Sequence, residues 1–389
     1  MTLAWFRPST LTRGARAGDE ADPLDETACL VAELRSAHEI DVFTGATAHD
    51  FVWKHVRTPY ELCVFELDNT LRHAFIWPYL LQYGGIVFLR ALTLHDSRAD
   101  ALAREGRRHD YAAEFAFNEG HPPSRPSVPP YYYPGTWPML RIPLLASRAV
   151  VVPHRGMAAA LQAEYPEARI RHAPLGVRQV QDTPRVQQGP DSSVAFGVPS
   201  TGRVDVARRA LARALDEGAA ATLLVDGPER VLHDADVVVA LTWPSVGEPQ
   251  TLALAAMAAG KPVIAGETGL TADWPALNPQ TWQPRPFTPG TPIAVSIDLR
   301  DEEHSLAVAM RRLSLDHALR ARLGDAARTW WRTHATARVA ADAWERILRE
   351  AVPVDRPPRP ADWPAHLHAD GTERARAMLE ELGVSVDLF

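Results

Sequence analysis

The chain has 389 residues, enough for two domains of ordinary size. Hydrophobic residues make up 46% and charged residues 23%, and the formal net charge is −7, which describes a globular protein with no basic field to draw in nucleic acid. Lys54 and Lys261 are its only lysines, Cys29 and Cys63 have neither metal-ligand spacing nor the look of a disulfide framework, and no apolar run is long enough to span a bilayer. The N-terminus turns polar after Phe6, unlike a signal peptide. A cytoplasmic location is the default expectation, with peripheral membrane contact left open.

Leu3 to Phe6 reads as a first short strand, and residues 7 to 26 as a long polar loop. Thr27 to Ser36 fits a helix, Ile40 to Phe43 a strand, and Tyr60 to Leu67 a longer strand. Ala74 to Tyr83 follows as a helix despite Pro78, closed by Gly84 and Gly85. Ile86 to Leu89 is a strand and Ser97 to Phe117 a helix. Residues 120 to 138 hold many prolines and the run Tyr131, Tyr132, Tyr133; they form an irregular loop that either packs on the surface or lines an acceptor groove. Ala149 to Val152 is a strand, Gly156 to Glu164 a helix, and Ile170 to Pro174 a short strand.

A linker rich in Gln, Asp and Pro runs from about Arg178 to Ser192, and a second series opens at Val194. Its helix is Val204 to Glu217 and its next strand Thr222 to Val225. Helices are expected over Leu306–Leu313, His317–Leu323 and Thr336–Glu350, with a last one within 371–383. This alternation predicts α/β architecture with parallel, doubly wound sheets. The expected division is 1–185, 186–335, and C-terminal helices over 336–389 that pack back on the first domain.

The stretch Ala235 to Ile264 carries the most information. Ala235 to Leu241, apolar but for Asp236, reads as a buried parallel strand. Glu248 sits at a loop tip and Pro249 follows it. Thr251 to Ala259 is a small-residue helix, Gly260 can end it with positive φ, and Val263-Ile264 opens the next strand. A carboxylate and free N–H groups at the end of a parallel strand form a common polar-ligand site.

Asp236, Pro244, Gly247, Glu248, Gly260, Lys261, Pro262 and Val263 fall in register with the donor-sugar motif of retaining glycosyltransferases of family 4. The segment resembles that family, whose fold is GT-B: two Rossmann-like domains facing across a cleft. Weaker likenesses extend it: Ala48 to His55, Leu67 to His73, Ala146 to His154, Pro174 to Val177, and Trp330 to Trp344, which looks like the helix that crosses back to the first domain.

The resemblance implies sugar transfer from a nucleoside-diphosphate sugar, with retention and without metal or other cofactor, to an unidentified glycan, lipid or small molecule. It places Glu248 on donor-sugar hydroxyls, Arg203 and the helix start at Gln250-Thr251 on the leaving diphosphate, and Gly197 and Gly247 near the donor. Asn69, His73, Arg90 and His95 fall on the acceptor side, His95 with a catalytic role, and Gly176 supplies a flexible turn facing the cleft. Lys261 caps or packs its turn. Arg208 and Arg209 are solvated, as is the arginine-rich face from Arg98 to Arg108, whose other reading is contact with anionic lipid.

The chain departs from the family at several points. Ala255 stands where a second Glu is usual, Gln250-Thr251 where Ser-Gly is usual, and Gly202 where a Lys is usual. Arg90 and Ala91 replace a usual His and Asp. A non-catalytic relative that binds a glycan or a protein is therefore a second reading, and an enzyme of another reaction type, such as a sugar-nucleotide epimerase, a third.

Overall fold

The computed structural model describes residues 1–9, 24–121, 137–179, 193–242, 250–268, 271–369 and 373–383. The first series is β1 (Thr2–Phe6), α1 (Glu26–Leu34), β2 (Glu39–Phe43), α2 (Ala48–Arg57), β3 (Leu62–Leu67), α3 (Ile76–Tyr83), β4 (Ile86–Leu89), α4 (His95–Arg104), α5 (Arg108–Glu119), α6 (Arg141–Ala146), β5 (Ala149–Val152), α7 (Arg155–Glu164) and β6 (Ile170–His172). The second is β7 (Val194–Pro199), α8 (Val204–Asp216), β8 (Ala221–Asp226), α9 (Pro228–Asp234), β9 (Val237–Ala240), α10 (Thr251–Ala258), β10 (Val263–Gly266), β11 (Ala276–Leu277) and β12 (Ala294–Ile297). The helices α11 (Glu302–Leu315), α12 (His317–His334), α13 (Ala337–Ala351) and α14 (Glu373–Glu381) complete the chain.

Each series forms a parallel six-stranded sheet, in the orders β2-β1-β3-β4-β5-β6 and β11-β12-β10-β9-β7-β8. This is the expected GT-B class, two Rossmann-like doubly wound domains. Alternation along β1 shows why the sheet is covered on both faces. Leu3 and Trp5 face a core shared with α1, α10 and α13, while Ala4 and Phe6 face a second core of Phe43, Phe51, Phe65 and Trp77. Phe6 packs within 5.3 Å, centroid to centroid, of Phe43, Phe51, Phe65 and Tyr79.

The crossing helix α13 joins the two halves. Its Trp344 is 1% exposed and lies 5.1 Å from the Trp5 ring and 5.2 Å from Phe88. Burying an aromatic of this size contributes roughly 2–3 kcal/mol, so α13 holds firmly to the first sheet. His38 and Glu345 add a polar contact of 2.7 Å beside it.

Several element boundaries differ from expectation for local reasons. The helix expected over Ser97–Phe117 is two helices, α4 and α5, because the chain turns at Gly106. The helix with Pro78 starts at Ile76 rather than Ala74, so proline falls in the first turn, where no intrahelical N–H is needed. Sequence periodicity assigned nothing to α6, α9, β11 or β12, which have two to seven residues each. Elements this short are too brief to show a period. Gly260 ends α10 with φ +68°, and Lys261 donates to the carbonyls of His233 and Ala235 at 2.8 and 2.7 Å, packing the turn as expected.

Candidate functional site

In an open parallel sheet, ligands bind outside the C-terminal strand ends where strand order reverses. In the first sheet that point lies at β1, which has β2 on one side and β3 on the other. In the second it lies at β7, between β8 and β9. The first point is surrounded by Arg7 after β1, Asp25 and Glu26 at the start of α1, Glu66 in β3, and Arg90 after β4. The second is surrounded by Arg203 after β7, Thr242 after β9, and Gln250 and Thr251 at the start of α10.

The residues at the first point form a buried charge cluster. Arg7 Nη2 donates to both oxygens of Asp25 at 2.8 and 2.9 Å, and its Nε lies 3.9 Å from Glu66 Oε2. Asp25 also caps α1, accepting from the Ala28 N–H at 2.8 Å. Arg90 donates to Glu26 and to Glu66. Thr251 Oγ1 donates to Glu26 Oε2 at 2.9 Å, so the first residue of α10 is tied to the opposite domain. Glu26 therefore sits at the positive end of the α10 dipole, where an anion is favoured.

Burial raises the Glu26 pKa, and Arg90 only partly offsets it. Burial opposes the charge on Arg90 too, but Glu26 and Glu66 outweigh it and hold the guanidinium above its usual range. Among the described residues, four buried polar atoms around the cleft have no hydrogen-bond partner: Arg7 Nε, Arg90 Nε, Glu66 Oε2 and Gln250 Oε1. Buried polar atoms are normally satisfied; Arg7 Nε and Glu66 Oε2 face each other at 3.9 Å as an ion pair.

The expected site residues are placed as follows. Gly247 and Glu248 lie outside the described residues, as do Tyr131 to Tyr133. Gln250 is buried and donates through Nε2 to Thr242 Oγ1 at 3.0 Å, spanning the loop between β9 and α10. Arg203 stands at the N-cap position of α8 without a capping hydrogen bond, and donates to Glu302 on α11, its Nη2 2.6 Å from Oε2. A Cβ on Gly197 would lie 2.7 Å from Val231 Cγ1, so this glycine lets α9 approach β7.

On the first domain, Asn69 donates to Asp96 Oδ2 at 2.8 Å and accepts from the Ser97 N–H at 3.1 Å, linking the β3 loop to α4. His73 is buried, with Nδ1 2.7 Å from Asp68 Oδ1. His95 is 0% exposed; its Nε2 is 3.0 Å from the Tyr111 hydroxyl and its ring packs against Phe115 and Trp137, so it does not open on the cleft. Gly176 is not a flexible turn. A Cβ there would lie 2.3 Å from the Thr336 carbonyl oxygen, because the chain crosses at the Val177–Thr336 bridge.

The arginine-rich face also needs correction. Arg104 and Arg108 are exposed, but Arg98 is buried, donates to Glu114 Oε2 at 2.7 Å and covers the Trp77 ring. Arg209 pairs with Glu303 at the surface.

Sequence reasoning missed Arg7, Asp25, Glu26 and Glu66. Glu66 left a legible signal, a lone carboxylate in the apolar strand Leu62 to Leu67. Asp25 left a helix N-cap signal through Ala28, three residues on, but none for its pairing with Arg7; Glu26 left none, because Arg90 and Thr251 lie far away along the chain. Among the described residues, no helix is long and apolar enough to cross a membrane, and no three metal-ligating side chains are grouped to hold an ion.

No family model matches the chain, and no curated protein sequence is similar to it at a significant level. Solved structures do resemble it. HepE of Anabaena, in complex with UDP and glucose, is 12% identical with a TM-score of 0.49, covering 89% of this chain and 99% of HepE. WaaG, a glycosyltransferase involved in lipopolysaccharide biosynthesis, is 15% identical with a TM-score of 0.48, covering 89% of this chain and 99% of WaaG. A TarM mutant of S. aureus, in complex with fondaparinux, α-GlcNAc-glycerol and UDP, is 14% identical with a TM-score of 0.44; the match covers 56% of this chain and 48% of TarM, so it spans about half of that protein. The fold assignment rests on the two sheets and their connections.

Proposed function

We propose that this chain is a glycosyltransferase that moves a sugar from a nucleoside-diphosphate sugar to a glycan, lipid or small-molecule acceptor, with retention and with no metal or other cofactor. The observation that carries the proposal is the Thr251–Glu26 contact. It brings the start of α10, which closes the donor-type motif, against the polar switch point of the opposite domain. The Glu26 carboxylate lies at the α10 N-terminus, where the helix dipole favours an anion.

Sugar transfer of this kind passes through an oxocarbenium-like state while negative charge grows on the departing diphosphate. Preorganised N–H groups and cations stabilise that charge best. The α10 N–H groups and Arg203 take this role, Arg203 after exchanging Glu302 for the diphosphate. Glu248 accepts from the donor-sugar hydroxyls. Arg90 holds Glu26 and Glu66 as the acceptor-side wall, with Asn69 fixing the adjoining loop.

A second reading, a non-catalytic relative that binds a glycan or protein, draws on one observation. Arg90 and Arg203 are each neutralised by carboxylates of the chain itself. Thermal unfolding with UDP, GDP, ADP and dTDP and their sugar conjugates, on wild type and Glu248→Ala, separates the two. A ligand at 100 times its dissociation constant stabilises by about 2.7 kcal/mol, a shift of several degrees. We expect a shift with one nucleotide, a larger one with its sugar conjugate, and loss of that increment in Glu248→Ala. No shift with any nucleotide at saturating concentration sinks the transferase and leaves the second reading.

A further inference from the structure

The end of the first sheet opposite the cleft holds a cavity of ≈ 100 Å³ between the sheet and the crossing helix. Arg148, just before β5, and Arg169 and Arg171, at the start of β6, line one side; Ile347, Glu350 and Ala351 of α13, with Val354, line the other. Three guanidinium groups thus share the cavity with one carboxylate.

Their partners leave much of that charge unmatched. Arg171 Nε donates to Glu350 Oε2 at 3.0 Å. Among the described residues, the Arg148 side chain reaches only the Val352 carbonyl, at 3.5 Å, and its buried Nε has no hydrogen-bond partner. The Arg169 guanidinium is exposed and has no hydrogen bond or ion pair among the described residues. The positive field extends past the cavity: burial, then the charges of Arg359 and Arg148, pull the Arg356 pKa below its usual range.

We propose that this cavity binds a phosphate-type oxyanion. The planar fork of each guanidinium matches a phosphate edge with two parallel hydrogen bonds. The local excess of two positive charges matches a phosphate group, which carries about −1.5 to −2 at neutral pH. The space suits a single phosphate group with some of its waters. The donors all come from the sheet side, Arg148, Arg169 and Arg171.

Calorimetric titration of the full chain with inorganic phosphate and with glycerol 3-phosphate, against potassium chloride at matched ionic strength, tests this. We expect saturable binding to wild type and to Arg208→Ala, a solvated arginine elsewhere, and roughly tenfold or greater weakening in Arg169→Ala, whose exposed position spares the fold. Heats no different from chloride overturn the site, as does equal affinity in Arg169→Ala and Arg208→Ala. Sedimentation with phosphatidic-acid vesicles against phosphatidylcholine alone separates the sources. Binding lost in Arg169→Ala assigns the oxyanion to a lipid headgroup; phosphate binding without vesicle binding assigns it to a free phosphate, and either supports the site.

Discussion

At the cleft end of the first sheet, Arg7 and Arg90 meet Asp25, Glu26 and Glu66, whereas at the opposite end Arg148 and Arg169 meet no carboxylate among the described residues. The difference follows from depth. A guanidinium buried between two domains must be compensated or the fold fails, while one at a cavity mouth can rely on water. The cleft has thus become a neutralised interface in which a ligand must compete with internal partners. The far end keeps open charge.

The largest test of this contrast is Arg90→Ala. It leaves Glu26 and Glu66 buried and short of their partner, and we expect a loss of about 3–5 kcal/mol in urea unfolding. A loss below about 1 kcal/mol would show that water or protons already compensate these carboxylates.

Acidification is next. Burial first, then the charge of His172, holds the His154 pKa down to about 4. The folded value lies below the unfolded one, so this contribution is fully present above the unfolded pKa and is lost as pH falls toward 4. It amounts to about 3 kcal/mol by pH 4. Urea midpoints measured from pH 7 to pH 4 should fall less steeply in His154→Gln than in wild type; identical slopes would place the acid loss in other groups.

Gly176→Ala drives a methyl into the Thr336 carbonyl where the chain crosses, and thermal unfolding should show a loss of roughly 1–3 kcal/mol. A neutral result would mean that the crossing shifts freely and that α13 is held by its buried face. Thr251→Ala removes one hydrogen bond to a charged group across the cleft, about 1.5 kcal/mol by urea unfolding. No change would show that this contact does not hold the domains together. Smallest of all, Arg169→Ala in phosphate-free buffer should alter stability by less than about 0.5 kcal/mol; a larger loss would make that arginine part of the folded scaffold and remove the contrast.

Much of the fold was legible because it is written in local patterns. The apolar runs at Leu3–Phe6, Ile86–Leu89, Ala149–Val152 and Val237–Ala240 each form a strand, and Gly260 and Lys261 take the places that a tight turn assigns them. The site was less legible. His95 has the sequence context of a functional histidine after an apolar run, yet α4 and α5 fold an aromatic pocket over it. Arg98 sits in an arginine-rich helix that reads as solvated, yet Glu114, sixteen residues on, draws it inward.

What the sequence alone determined is the order of most strands and helices, the doubled α/β plan and the place of the motif after a strand, because hydrophobic period and turn chemistry act over a few residues. What only the tertiary structure decided is which charges cancel. Glu26 meets Arg90 across 64 residues and Thr251 across 225. A carboxylate's partner is set by where the two domains bring it in space, and burial fixes how strongly the pair must hold, and neither is encoded in the neighbouring residues.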